Sequence, residues 1–254
     1  MLNKLTILIA SKAAQKELFD TLRMIREIDY KMDINILIAI AQIDGNKIDN
    51  SELLKPHKAS IISRQDSGIY DAWNKLLRKA KTPYCMFLGI GDTIANLELI
   101  KEAITSLENS QAPCAYGQVA MTAIGGEIIR KVKRKYRNPD LFINKYLSTA
   151  IPMPTQGIIF RSEVLKRIHF DETYRIAGDY EAQIRYMRLA TEPPIYLREI
   201  ISYQAVGGVS TSPKTLLKTF QEWRHARRSL KLPQNTPAAF LRFLKIKALK
   251  YFNS

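Results

Sequence analysis

Residues 63–75 read Ser63-Arg64-Gln65-Asp66-Ser67-Gly68-Ile69-Tyr70-Asp71-Ala72-Trp73-Asn74-Lys75, and a second stretch reads Tyr84-Cys85-Met86-Phe87-Leu88-Gly89-Ile90-Gly91-Asp92. In the first, a β-type run over Ala59–Ser63 ends at a glycine turn, and the spacing then predicts a helix from about Ile69 to Ala80. The second is an apolar strand with no polar alternation, as expected where both faces of a parallel sheet are covered. Outward from these two, the same rhythm continues. Leu5–Ala10 and Ile34–Ala41 read as strands, and Gln15–Ile28 and Leu97–Leu107 carry helical spacing. Strand and helix alternating at this pace predict an α/β fold with a mixed, mainly parallel sheet flanked by helices.

Beyond Ala112 the pattern changes. Ala115–Met121 and Glu127–Ile129 predict a hairpin around Gly125-Gly126, followed by a helix near Pro139–Leu147. Gly157–Phe160 reads as a strand, Asp179–Leu189 as a helix and Ile195–Tyr203 as a strand. The division expected is one domain over residues 1–211, with a first half at 1–111 and a second at 112–211, and a basic helical extension over 212–254.

Composition narrows the class. The chain has 254 residues, 46% hydrophobic and 25% charged, with 39 Lys plus Arg against 24 Asp plus Glu and a formal charge of +15. That is ample apolar material for a buried core and excludes a disordered or fibrous chain. No apolar run approaches the roughly 20 residues that cross a bilayer. No small-residue cleavage site follows Leu5–Ala10, so export is not expected. Two cysteines, Cys85 and Cys114, are too few for a disulfide framework. The three histidines sit apart from both, so spacing draws no zinc cluster. These features predict a cytoplasmic protein.

The positive charge is concentrated. Six of the eight residues from Arg130 to Arg137 are basic, and from Lys214 to Ser254 ten Lys or Arg face one acid, Glu222. Such segments attract polyanions. Phe240, Leu244, Ala248 and Tyr251 share a helical stripe, which suits a helix lying on an anionic membrane surface and equally a terminal helix packed on its own domain. No nucleic-acid-binding signature accompanies the charge, so a nucleic-acid partner is not expected.

In parallel sheets, ligands bind beyond the carboxyl ends of the strands. After the third run, Asp66, Gly68, Asp71, Asn74 and Lys75 form a turn and helix N-terminus able to meet a nucleotide; Asp66 or Ser67 equally serves as a plain helix cap. After the fourth, Asp92 stands between glycines either as a cation ligand or as a solvent-facing turn residue. Asp179 follows Ala177-Gly178 at a helix start, as a helix cap or as a working carboxylate.

Taken together, Asp66-x-Gly-Ile-Tyr-Asp-Ala-x-Asn-Lys75 and the strand ending at Asp92 resemble the nucleotide-sugar half of glycosyltransferase family 2, particularly its capsule, colanic-acid and lipopolysaccharide-type members. Tyr116-Gly117-Gln118-Val119, Met153-Pro154-Thr155-Gln156-Gly157, Phe170-Asp171-Glu172-Thr173-Tyr174-Arg175-Ile176-Ala177-Gly178-Asp179-Tyr180-Glu181 and Gly207-Gly208-Val209-Ser210 follow in the family's order, over about residues 4–211. The resemblance implies a GT-A fold and transfer of a sugar from a nucleoside-diphosphate donor, UDP-linked by expectation. Mg²⁺ or Mn²⁺ would assist, and the anomeric carbon would invert. The acceptor would be a glycan or lipid-linked saccharide of a bacterial surface polysaccharide, met at the inner face of the cell membrane.

By the same resemblance Asp179 is the general base, Asp92 the metal ligand, and Ser11, Asp44, Asp66, Gly68, Asp71, Asn74, Lys75, Gln156 and Gly157 contact substrates. Macrodipole and N–H groups at the helix start are expected to keep Asp179 ionised. Arg175 and Arg185 are candidates for the diphosphate or an acidic acceptor, Arg185 equally a residue of a solvated helix face. The sequence departs from the family in keeping one acid, Asp92, where two or three are usual, and in placing Thr155 where histidine is common. Ser11-Lys12-Ala13 lacks the customary asparagine, and either Gln42 or Asp44 falls where an aspartate reads the base, with Asp44 ranked first. The thinned acidic motif admits one rival, a catalytically silent module of the same fold that binds a nucleotide or a partner.

Overall fold

A computed structural model describes residues 4–13, 18, 20–23, 25, 34–42, 58–63, 66–122, 128–132, 153–205 and 215–232. Nine strands form one sheet: β1 (Leu5–Ala13), β2 (Ile34–Gln42), β3 (Lys58–Ser63), β4 (Tyr84–Leu88), β5 (Thr93–Ile94), β6 (Cys114–Thr122), β7 (Ile128–Val132), β8 (Ile158–Arg161) and β9 (Ile195–Ala205). They run in the order β3-β2-β1-β4-β8-β6-β9-β5, with β7 paired to β6. β1 to β4 are mutually parallel, β8 is antiparallel to both its neighbours, and β9 is parallel to β6. The sheet is therefore mixed and mainly parallel, as the alternation of runs predicts.

Among the described residues, the helices that cover the sheet and frame the site are α1 (Ile69–Lys79), α2 (Leu97–Glu108), α3 (Ser162–Ile168), α4 (Gly178–Arg188) and α5 (Leu216–Ser229). β4 is buried along its whole length because both sheet faces are covered. One face packs α1, α3, α4 and α5 through Trp73, Phe87, Phe160, Phe170, Tyr180 and Trp223. The other packs α2 and the helical residues Leu18, Leu22 and Ile25 against Ile7, Ile36 and Met86. Cys85 and Cys114 are both buried and unpaired, and burial pushes the Cys85 thiol up to about 12, so neither is a ready nucleophile.

Polar ties close the packing where carbonyls would otherwise be orphaned. Arg161 at the end of β8 reaches the last turn of α2 and the segment after it, donating to the carbonyls of Leu107, Ser110 and Ala112 at 2.5, 2.7 and 2.8 Å. The described part of the basic extension, residues 215–232, does not stand apart from the domain. Trp223 and Arg227 of α5 are buried, and Arg188 of α4 donates to the Leu230 carbonyl at 2.6 Å. The helix expected near Pro139–Leu147 and the stripe from Phe240 to Tyr251 lie outside the described residues. No helix among the described residues is long and apolar enough to cross a membrane.

Candidate active site

The site is built beyond the carboxyl ends of β4 and β9 and beside the middle of β6. After β4 the chain turns through Gly89-Ile90-Gly91 and buries Asp92, which is only 3% exposed. One oxygen accepts from the Gly89 N–H at 2.8 Å, and the other accepts from the Ala205 N–H at 3.0 Å, at the end of β9. A solvent-facing Asp92 is thus excluded. Gly91 makes the turn possible, because its φ of +82° is poorly tolerated by side-chain-bearing residues and a Cβ there would come within 2.9 Å of Ala205 Cβ. Burial outweighs the N–H donors and the Gln156 side chain, pushing the Asp92 carboxyl up to about 6.

Gln156 belongs to the short 3₁₀ turn Thr155–Gly157, whose backbone is locked by the Ser202 hydroxyl on the Gln156 carbonyl at 2.8 Å. Gly157 fits beneath Val119, where a Cβ would approach within 2.7 Å. On the other side of this turn the Thr155 hydroxyl donates to Asp179 Oδ2 at 3.1 Å and accepts from Gln183 Nε2 at 3.2 Å. Of two adjacent residues, Thr155 hydrogen-bonds Asp179, while the Gln156 side chain favours the charged form of Asp92. The turn thus relates to two acids that lie 87 positions apart in the chain.

Asp179 opens α4, partly buried, and its Oδ1 accepts from the Tyr180 N–H at 2.8 Å. The Tyr70 hydroxyl stands 3.5 Å from the same oxygen, held there because the tyrosine ring lies on Gly178, where a Cβ would meet it at 2.7 Å. Helix-end donors do not set the Asp179 carboxyl alone. Burial raises its pKa, and the Tyr180 N–H and the Thr155 hydroxyl offset only part of that. Burial and the Asp179 charge also raise Tyr70 well above its ordinary value, so the phenol remains a donor.

The turn after β3 carries the remaining donor-side candidates. Asp71 accepts from the Ser67 N–H and from Lys75 Nζ, both at 2.8 Å. Burial alone would raise the Asp71 carboxyl, but the Lys75 and Ser67 contacts bring it below the usual range. Asp66 is raised, by burial first and by Asp71 second. Arg175 reaches across from the α4 side to the Ser67 carbonyl and lies over Gly68, so the two halves of the chain meet here. Ser11 is buried at the end of β1, while Asp44 lies outside the described residues.

Two predicted contacts turn inward. Asn74 is 3% exposed, donates to the Phe170 carbonyl and Glu172 at 2.9 Å each, and accepts from the Phe170 N–H at 2.8 Å. It ties the loop ahead of Asp179 to α1, alongside Tyr70 stacked on Phe170. Arg185 likewise pairs with Glu181 at 2.7 Å and donates to the His169 carbonyl, which explains it without a ligand. Asn74→Ala should therefore lower stability by about 2–4 kcal/mol, since it strands buried backbone groups at Phe170. Urea unfolding measures this; an unchanged midpoint would return Asn74 to the ligand-contact reading.

Asp92 offers a divalent ion one carboxylate at most: it is 3% exposed, each of its oxygens already accepts one backbone N–H, and no group of three or more His, Cys, Asp or Glu among the described residues could hold a metal, so an ion there would draw most of its ligands from donor phosphates and water. Tyr70, Thr155, Gln183 and Glu222 are not among the candidates that the sequence offers. Thr155 stands out there only as the residue in place of histidine, and Glu222 only as the single acid in a basic stretch.

No family model and no curated protein matches this sequence. Solved structures do. S. aureus TarS residues 1–349 in complex with UDP-GlcNAc superposes with a TM-score of 0.66 at 17% identity, covering 98% of this chain and 72% of that one. The chain has the GT-A fold. A mannosyltransferase from Pyrobaculum calidifontis, in complex with GDP-Man and Mn²⁺, gives a TM-score of 0.58 at 14% identity over 98% of this chain and 70% of that one. Against a longer TarS structure the chain spans 42% of the length.

Proposed function

We propose that this chain is a nucleotide-sugar-dependent glycosyltransferase that inverts the anomeric carbon by single displacement. The observation that carries the reading is the Thr155–Gly157 turn, in which Thr155 hydrogen-bonds Asp179 and the neighbouring Gln156 side chain favours the charged form of Asp92. The solved structures of this fold that hold UDP-GlcNAc, UDP and GDP-Man support a nucleoside-diphosphate sugar as donor. A UDP-sugar is the first choice, and the acceptor is a hydroxyl of a glycan or lipid-linked saccharide in bacterial surface polysaccharide synthesis. Basic residues of the 212–254 extension would keep the enzyme near an anionic membrane face.

In this mechanism Asp179 removes the acceptor hydroxyl proton as that oxygen attacks the sugar, on the side opposite the departing nucleoside diphosphate. A buried carboxylate with a raised pKa is a stronger base than an exposed one, and that is what attack by an alcohol requires. Tyr70 and Thr155 hold its two oxygens and aim the free lone pair. Asp66, Gly68 and Asp71 meet the nucleoside, and Gln156 and Gly157 lie between donor sugar and acceptor. Asp92 supplies at most one protein ligand, so a Mg²⁺ or Mn²⁺ ion that neutralises the departing diphosphate would be held mainly by the donor's own phosphates.

The test is a thermal-shift screen of UDP- and GDP-sugars, each with and without Mg²⁺ or Mn²⁺, followed by assay of nucleoside-diphosphate release. A donor at a hundred times its Kd should add about 2.7 kcal/mol of stability, or roughly 5–10 °C for a chain of this size. No shift with any donor would overturn the reading. The thinned acidic motif also admits a silent nucleotide-binding module. A shift without any release or transfer would favour it.

A further inference from the structure

The acid that the basic extension retains has a defined task in the fold. Glu222 is the only acidic residue between Lys214 and Ser254, and its carboxylate accepts from three consecutive backbone N–H groups just ahead of α4. Arg175 N lies 3.1 Å from both oxygens, and Ile176 N and Ala177 N lie 2.8 and 2.9 Å from one of them. α4 has no side-chain cap of its own, because its N-cap residue is Ala177. Successive N–H groups turned toward one point form an anion-binding nest, and here a carboxylate from another helix fills it. Asp179 sits two residues beyond Ala177, so whatever fixes the nest fixes the first turn of α4.

Glu222 is itself rigidly placed. Trp223 packs on Tyr180 with ring centroids 5.6 Å apart, and the Arg227 guanidinium lies 4.8 Å from the Trp223 ring and reaches the Tyr180 hydroxyl at 3.4 Å. The Tyr174 and His225 rings stand 5.7 Å apart on the other side of the nest. The loop thus has Asn74 and Arg185 at its start and Glu222 at its end, and of these three only Glu222 joins it to the basic extension.

We infer that Glu222 is the positioning residue for Asp179, so that α5 belongs to the catalytic unit. This rests on Asp179 being the general base of the proposed transfer. The carboxylate acts from a distance: it orders the backbone of 175–177, and that order sets where the Asp179 side chain leaves the helix. A misplacement of about 1 Å at a reacting group costs about a hundredfold in rate.

The test compares wild type with Glu222→Ala and the milder Glu222→Gln, whose amide keeps one acceptor and its shape. With the donor found by thermal shift, kcat should fall at least tenfold in Glu222→Ala and less in Glu222→Gln, with donor KM within about twofold of wild type. Amide hydrogen exchange at residues 175–181 should quicken by at least tenfold in Glu222→Ala, and millimolar formate, filling the nest, should restore both protection and part of kcat. A carbon-13 titration of the Asp179 carboxyl should move toward the ordinary range in both variants. Unchanged kcat in folded Glu222→Ala, or a KM effect without a kcat effect, would overturn the inference. If wild type turns over no donor, the glycosyltransferase reading fails by itself. The exchange and titration arms then decide whether Glu222 still governs the Asp179 carboxyl, and unchanged values there overturn the inference independently.

Discussion

Asp179→Asn should reduce sugar transfer by two to four orders of magnitude, the range that a positioned general base contributes, while leaving donor affinity and the unfolding midpoint close to wild type. The carboxamide oxygen can still accept from the Tyr180 N–H or from the Thr155 hydroxyl, which lie 2.8 and 3.1 Å from the native carboxylate, so the helix start survives. What disappears is the ability to take a proton. Burial raises the Asp179 pKa, and the base works only when unprotonated, so wild-type kcat falls tenfold per pH unit as the pH drops below that raised value. Residual turnover in Asp179→Asn should lack this acid limb. Tyr70→Phe removes the hydroxyl 3.5 Å away that favours the charged form, so its acid limb should move to higher pH. A pH–rate series on the three proteins, read as release of nucleoside diphosphate, checks all of this. An acid limb that survives in Asp179→Asn would assign the base elsewhere.

The sheet is legible in the sequence because its central strands are apolar on both faces. Tyr84–Leu88 is read with the bounds observed, and Ile34–Ala41 is shorter than β2 by one residue. A strand buried on both sides has no alternation to mislead the reader and needs no partner to be recognised. The second half is harder. β6 pairs with β8 over Cys114–Tyr116, with β7 over Val119–Thr122 and with β9 over Ala115–Thr122, and its register with β9 shifts twice near Gln118. Such irregularities depend on which strand arrives alongside, and nothing local encodes that.

The site shows the same division. Asp92 and Asp179 stand out because a strand end and a helix start mark places where ligands gather. Asn74 reads as a ligand contact because it follows Asp71 on the helix, but its amide is taken by Phe170, 96 positions away. Spacing reports which residues share a face and is silent on what that face meets. Glu222 is the converse. Its isolation among cations is visible in the sequence, whereas the nest it fills, some 45 positions upstream, exists only once α5 has packed on Tyr180.

Asp92 separates a structural clamp from a metal ligand by a measurement that needs no donor. Its pKa in the folded protein is raised to about 6 from the ordinary 3.8, so the native state holds its proton more tightly than the unfolded chain does. The associated stability is fully present below about pH 4 and is lost as the pH rises through 6, a change of about 3 kcal/mol at 1.36 kcal/mol per unit. Asp92→Asn has no proton to release and should lack that slope. Near pH 4 it should also be the less stable protein, because its NH₂ must face either the Gly89 or the Ala205 N–H, and one unmet buried donor costs about 1–3 kcal/mol. The deficit of Asp92→Asn relative to wild type should therefore be greatest near pH 4 and, as wild type loses about 3 kcal/mol, close or reverse by pH 7.5, as measured by urea unfolding across that range. Mn²⁺ in the absence of nucleotide should stabilise neither protein differently from the other. A stabilisation of wild type over Asp92→Asn that appears only when Mn²⁺ is added, and grows as the pH rises through 6, would reverse the assignment and make Asp92 a metal ligand, since a clamp that closes the β4–β5 turn onto β9 acts whether or not any ion is present.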